Sequence, residues 1–411
     1  MTLPRTQTET PARSAGTPGE VFGVFLRLGL TSFGGPIAHL GYFREELVAR
    51  RRWLTDADYA DLVALCQFLP GPASSQVGFA LGLGRAGWLG ALAAFTAFTL
   101  PSALLLLAFA AGVGTLGGPL ALGALDGLKI VAVAIVAHAV LGMARTLCPD
   151  RERAAIAAGA AAVLAVLPGA AGMIGAIVLG AIAGLVLVPG AMPAGEPGSA
   201  PAKRLPVPRG LALATLAAFT ALLIVLPLLA PLAPGLAVAD AFYRSGALVF
   251  GGGHVVLPLL EAETVAKGWI APEDFLAGYG AAQAVPGPLF TFAAYLGAAL
   301  DGAPGGLGGG ALALGAIFLP GFLLLVAALP FWAALRALPA ARALMQGANA
   351  AVVGILGAAL YDPVFTAAVG SMADFTLALG CFVALAAWKA PPWAVVIAGA
   401  AGGAGLALAG I

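Results

Sequence analysis

Apolar runs of about 18 residues or more recur from one end of the chain to the other, which is the pattern of membrane-spanning helices. Thirteen hydrophobic segments are predicted, near residues 21–40, 57–81, 87–112, 121–144, 154–168, 172–189, 210–233, 239–259, 273–299, 307–329, 343–360, 363–387 and 391–410. Polar residues gather between them. Residues 1–20 are polar and rich in Thr and Pro, without the basic start and short apolar core of a signal peptide. Residues 190–209 are rich in Pro, Gly and Ala and carry Lys203, Arg204 and Arg209, which predicts an exposed linker. The expected organisation is an all-α polytopic membrane protein. It comprises a tail (1–20), a first repeat (21–189), the linker, a linking transmembrane helix (210–238) and a second repeat (239–411).

The two halves are related by sequence. At a separation of 217 residues, Phe25, Arg27, Gly29, Phe33, Gly34, Gly35 and Glu46 match Phe242, Arg244, Gly246, Phe250, Gly251, Gly252 and Glu263. At 216, Trp53, Asp58, Gln67, Pro70, Gly71 and Pro72 match Trp269, Asp274, Gln283, Pro286, Gly287 and Pro288. Pro101 matches Pro320 at 219, and Gly127 matches Gly347 at 220. An ordered series whose separation drifts through the loops marks an internal duplication.

Basic residues orient the halves, since Lys and Arg collect on the cytoplasmic side. If every segment crosses and the N-terminus is cytoplasmic, Arg44, Arg50, Arg51 and Arg52 fall outside. If the first two segments of each repeat dip in and return, every loop Lys and Arg except Lys267 falls inside. The second arrangement is expected. It leaves five crossings between the repeats, so their topologies are inverted.

Composition narrows the chemistry. The 411 residues are 61% hydrophobic and 9% charged, with a formal net charge of +1 that offers no attraction to nucleic acid. Cys66, Cys148 and Cys381 are scattered, with no paired spacing, and the three histidines form no metal-binding helix motif. No glycine is followed by lysine, so there is no phosphate-binding loop of the ATPase kind. No cofactor, no metal and no enzymatic constellation are expected.

The chemistry that remains lies at four interruptions. "SFGGP" and "VFGGG" break the first segment of each repeat, and "QFLPGP" and "QAVPGP" break the second. Broken helices at matching places in inverted repeats point to a transporter's central site. Gly34, Gly35, Gly251 and Gly252 let an anion approach backbone N–H groups and half-helix N-termini closely. Pro70 and Gly71, with Pro286 and Gly287, do the same in the second segments. Small residues also serve tight helix packing, so the motifs carry two readings. Arg27 and Arg244, six residues before each Phe-Gly-Gly, suit multi-oxygen anions, or snorkel to the interface. Gln67 and Gln283 either bind substrate oxygens or cap the broken helix. Candidate coupling or supporting groups are His39, His254 and the pair Asp126–Lys129, spaced to meet on one helix face. The second-half counterparts of that pair are Gln346 and Asn349.

At these residues the sequence resembles the chromate ion transporter family in its long, two-domain form. The resemblance rests on "FLRLGLTSFGGPIAHLGYFREE" and "QFLPGPASSQ" in the first half, and on "FGGGHVVLPLLE" and "AVPGP" in the second. It covers essentially everything beyond the first twenty residues. It implies efflux of chromate from the cytoplasm across a bacterial inner membrane, with sulfate as competitor or alternative substrate. Alanine- and glycine-rich faces leave a homodimer open.

Overall fold

The computed structural model describes residues 16–114, 117–188, 207–302 and 304–410, the side chain of Ile37 excepted. Most of the expected tail and linker lies outside the described residues. The first half contains α1 (Pro18–Thr31), α2 (Gly35–Phe43), α3 (Asp56–Phe68), α4 (Ala73–Val113), α5 (Pro119–Leu147), α6 (Arg151–Val166) and α7 (Ala170–Leu187). A linking helix, α8 (Arg209–Leu229), follows. The second half contains α9 (Pro234–Ala247), α10 (Val256–Thr264), α11 (Pro272–Ala284), α12 (Phe292–Ala299), α13 (Gly306–Ala328), α14 (Trp332–Ala337), α15 (Pro339–Ala359), the single turn α16 (Thr366–Ala368), α17 (Met372–Ala386) and α18 (Pro392–Ala409). Among the described residues there is no strand.

The halves correspond helix by helix. α1, α2 and α3 match α9, α10 and α11. α4 matches α12 and α13 together, because it runs unbroken in hydrogen bonding through a kink at Ala86 and Gly87, where its counterpart has a loop. α5, α6 and α7 match α15, α17 and α18. Among the described residues, seven helices are long and apolar enough to cross a membrane: α4, α5, α7, α8, α13 with its extension, α15 with its extension, and α18. The thirteen segments are therefore not thirteen equal spans. α1 and α9 have 14 residues and α3 and α11 have 13. At about 1.5 Å per residue each reaches about 20 Å, short of the ~30 Å hydrocarbon core.

These short helices are the inward arms of hairpins that return to the end they left. The start of α1, the turn before α3 and the kink in α4 meet at one place. Arg85 pairs with Glu20 at 3.1 Å, its guanidinium lies 5.3 Å from the Trp53 ring, and its carbonyl accepts the Gly16 N–H at 3.0 Å. The second half repeats this. Lys267 sits 4.9 Å from the Trp269 ring, the Trp269 carbonyl accepts the Asp301 N–H at 2.9 Å, and Gly235 faces Pro304.

Those two gathering points lie at opposite ends of the long helices. α4 leaves the first at Arg85 and reaches the second at Phe109, whose ring meets Tyr295. The Tyr295 hydroxyl in turn donates to the Asp274 carbonyl at the start of α11. α13 runs the other way, and beyond its end Trp332 and Arg336 both donate to Asp61 of α3, at 3.0 and 2.5 Å. The hairpin pairs thus enter from opposite ends and meet in the middle.

Small residues hold the halves together. α5 lies on α18 and α15 on α7. A Cβ at Gly127 would collide with the Gly399 carbonyl, and one at Gly347 with the Gly180 carbonyl. Without a hydrophobic drive between helices in lipid, such close backbone approach supplies the association. Gly347→Leu is expected to cost about 2–3 kcal/mol by overpacking this seam. Thermal unfolding in detergent checks it, with Gly357→Leu, where a Cβ meets nothing within 4 Å, as the silent control.

Candidate functional site

The four interruptions cross at the centre, and each half completes the other. The Gly71 N–H donates to the Val249 carbonyl at 2.8 Å, and the Gly287 N–H donates to the Ser32 carbonyl at 2.9 Å. Gly71 and Gly287 are counterparts, as are Ser32 and Val249, so one exchange is made twice across a pseudo-twofold axis. Gly71 has φ +118 and Gly287 φ +105, a region that L side chains avoid. Each glycine also abuts the opposite half's proline-kinked helix. Gly71 lies against Gly321 and Gly287 against Ser102, residues directly after Pro320 and Pro101.

Proline inside α4 and α13 removes one ladder donor and frees a carbonyl in the preceding turn. The hairpins α1 and α9 dock there. A Cβ at Gly29 would strike the Ala97 and Phe98 carbonyls, and one at Gly246 the Ile317 carbonyl. Gln76 ties the first Pro-Gly-Pro turn to α13: its Nε2 donates to the Pro70 carbonyl at 3.1 Å and the Gly321 carbonyl at 2.8 Å. Its counterpart is Phe292, so this tie exists in one half alone.

The first breaks meet as well. Pro36 packs on Gly253, and a Cβ at Gly35 would lie 3.9 Å from His254 Nε2. His254 Nδ1 shares a 2.8 Å hydrogen bond with the Tyr279 hydroxyl, and Gln283 lies one turn further along α11. His39 is fully buried, with Nδ1 3.4 Å from Ser74 Oγ and its ring edge-on to Phe98. Asn349 reaches the second break, where a Cβ on Gly251 would lie 3.4 Å from its Oδ1. N-termini of α2 and α4, and the turns that open α10 and α12, therefore converge. Around them Ser32 Oγ, His39 Nε2, Ser75 Oγ, Thr99 Oγ1, Gln283 Nε2 and Asn349 Oδ1 are buried without a hydrogen-bond partner. Buried polar atoms are rarely left so, and most of these six can donate a hydrogen bond.

The two arginines occupy different surroundings. Arg244 pairs with Asp240, one turn earlier, and with Glu263 at 3.5 Å, while Lys267 holds the same Glu263 at 2.6 Å. In the first half Glu46 is taken by Arg50 and Arg51, at 2.9 and 2.6 Å, and the position matching Asp240 is Gly23. Arg27 is exposed on α1 and has no ion-pair partner among the described residues. The two matched arginines thus differ: Arg27 has no ion-pair partner among the described residues, and Arg244 is neutralised within its own half. The acid at the i−4 position was the available sequence signal for this. Lys129 and Asp126 do pair, at 2.5 Å, but on the part of α5 that packs on α11 rather than at the breaks. Gln67 is exposed at the end of α3, while Gln283 is half-buried with its Nε2 unpartnered. Gln76, Tyr279 and Ser32 belong to the centre and were not singled out from the sequence.

Comparison with known proteins decides the lineage. The family described as "Chromate transporter" matches residues 19–185 and 236–404, once in each half. The chain belongs to this family. It is 30% identical to the chromate transport protein of Pseudomonas aeruginosa over 94% of its length and 91% of that protein's. It is 29% identical to the chromate transport protein of Cupriavidus metallidurans over 92% and 90% of the two chains. A probable chromate transport protein of Synechococcus elongatus is 28% identical over 92% and 93%. No solved structure matches the chain. As a family member with seven long apolar helices among the described residues, it is a multi-pass membrane protein of transporter type. Sulfate appears in none of these names, and the alternative of a sulfate transporter gains no support from them.

Proposed function

We propose that this protein carries chromate out of the cytoplasm across a bacterial inner membrane, through the centre where the four breaks cross, with its N-terminus cytoplasmic. The observation that carries the reading is the reciprocal Gly71–Val249 and Gly287–Ser32 exchange. It brings helix N-termini and unpartnered buried donors to one place in the middle of the chain's crossed halves. A dianion sheds water only where charge and donors replace it. Helix N-termini, the hydroxyl and amide donors and Arg27 offer that replacement.

No ATP-binding motif is present, and none is needed. With the cell interior negative, moving a dianion outward is downhill by about 4.6 kcal/mol per 100 mV. The positive gathering point at Arg44–Arg52 and Arg85 belongs on the cytoplasmic side by the distribution of basic residues. Direction is tested in chromate-sensitive cells. Cells expressing the protein are expected to hold less intracellular chromate than control cells at equal external concentration, and to grow at higher chromate. Greater accumulation with greater sensitivity would make it an importer. A twentyfold excess of sulfate, added outside and loaded inside, is expected to leave the difference largely intact.

A further inference from the structure

The pseudo-twofold relation makes any difference between matching hairpins informative, and α3 and α11 differ sharply. α11 is seated against α5 and α18, and its residues Phe275 to Gly280 are all buried. A Cβ at Gly280 would strike the Leu128 carbonyl of α5, so the backbones touch there. The matching seat for α3 would be α15 and α7. α3 has no comparable packing on either and rests on α4 instead. Its buried residues are Tyr59, Leu65 and Cys66, whereas Ala60, Ala64 and Gln67 form an exposed stripe of one helix face. Those three positions are the counterparts of Leu276, Gly280 and Gln283, the face that α11 presses onto α5. Ala348 of α15 is the counterpart of Leu128.

We infer that the chain is held in one of two interchangeable states, with the route to the crossed breaks open along α3 and shut along α11. In the other state α3 swings onto α15, bringing Ala64 against Ala348, and α11 lifts from α5. Inverted repeats supply this second state without new contacts, because each half already shows the arrangement the other must adopt. The bare face of α3 is a water-filled wall and not a lipid-facing one. The helix carries Asp56, Asp58 and Asp61, reaches only about 20 Å, and ends at Gln67 and the Pro-Gly-Pro turn. Ala64 is small and exposed, whereas Ala348 is small but buried in this state, so its cover must part before α3 seats there; Gly280 provides the close approach on the shut side. The open end is the one that gathers Arg44, Arg50, Arg51 and Arg85, which the proposed orientation makes cytoplasmic. The two-state inference rests on the transporter reading, but not on chromate as the substrate.

Thiol labelling tests it in membranes, with Cys66, Cys148 and Cys381 replaced by serine or alanine. Ala64→Cys lies deeper along its helix than Leu276→Cys does along α11, yet it is expected to react at least tenfold faster with a charged, lipid-insoluble methanethiosulfonate. Gly280→Leu, which pushes α11 off α5, is expected to reverse the order: labelling at Leu276→Cys rises and labelling at Ala64→Cys falls. The reversal reports a linked exchange that local loosening at Gly280 would not produce. Equal reactivity at both sites would overturn the inference. So would labelling of Ala64→Cys by a lipid-soluble maleimide alone, or a Gly280→Leu effect confined to Leu276→Cys. None of these readouts involves chromate, so the inference and the substrate assignment fail separately.

Discussion

Arg27→Ala is expected to abolish most chromate flux while leaving thermal stability unchanged, and Arg244→Ala is expected to do the reverse in emphasis. Arg27 is exposed, with no acid within reach among the described residues, so its removal leaves no buried charge behind. A charge-assisted contact to an anion is worth about 1.5–3 kcal/mol, which sets the expected loss at about 10- to 100-fold in transport. Arg244 answers to Asp240 and Glu263, each 4% exposed. Its loss strands two buried carboxylates with Lys267 as the remaining partner, at a cost of about 3 kcal/mol. Asp240→Asn in the Arg244→Ala background is expected to recover part of that stability. Gly23→Asp gives Arg27 the partner that Arg244 has, and is expected to lower flux without lowering the unfolding temperature. Unfolding in detergent and flux in vesicles, measured on the same preparations, separate the two roles. Equal flux defects at matched stability for both alanine variants would contradict the asymmetry.

The second large effect is expected at the crossing itself. Gly71→Ala places a side chain at φ +118 and brings its Cβ to 3.0 Å from the Gly321 backbone, which cannot rotate away. Gly287→Ala has φ +105 and meets the Ser102 hydroxyl at 2.9 Å, a side-chain atom that can turn. Each variant carries about 1–3 kcal/mol of backbone strain. Each also disturbs a hydrogen bond between the halves. Both are expected to lose at least tenfold in flux, with Gly71→Ala the worse and the less stable. Parental flux from either would separate the exchange from transport.

The pattern of apolar segments and the paired motifs made the helical class, the duplication and the four breaks legible. Those features depend on residue identity and spacing along the chain, and both halves repeat them. The short hairpin arms were legible too, through the Gly-Gly and Pro-Gly-Pro interruptions and through Arg44–Arg52, which cross a membrane poorly. What the sequence concealed is tertiary. Nothing in "PGP" says that Gly71 meets Val249 rather than its own half's Ser32. Gln67 and Gln283 occupy matched positions in nearly identical words, yet one is exposed and the other half-buried, because α3 and α11 are packed differently. Asp240 is within reach of an i, i+4 reading from Arg244, but a comparison of matched positions does not mark an acid whose counterpart is Gly23. The continuity of α4 through Ala86 and Gly87 was hidden because a loop divides its counterpart.

The measurement that bears most directly on a potential-driven anion path is chromate flux in liposomes containing the purified protein. A potassium gradient with valinomycin sets the voltage, and a pH gradient is imposed separately. The account predicts that chromate enters faster as the interior is made positive, with a matching inward flow of negative charge, and that a pH gradient alone moves little. Flux that ignores the voltage and follows the pH gradient would contradict it.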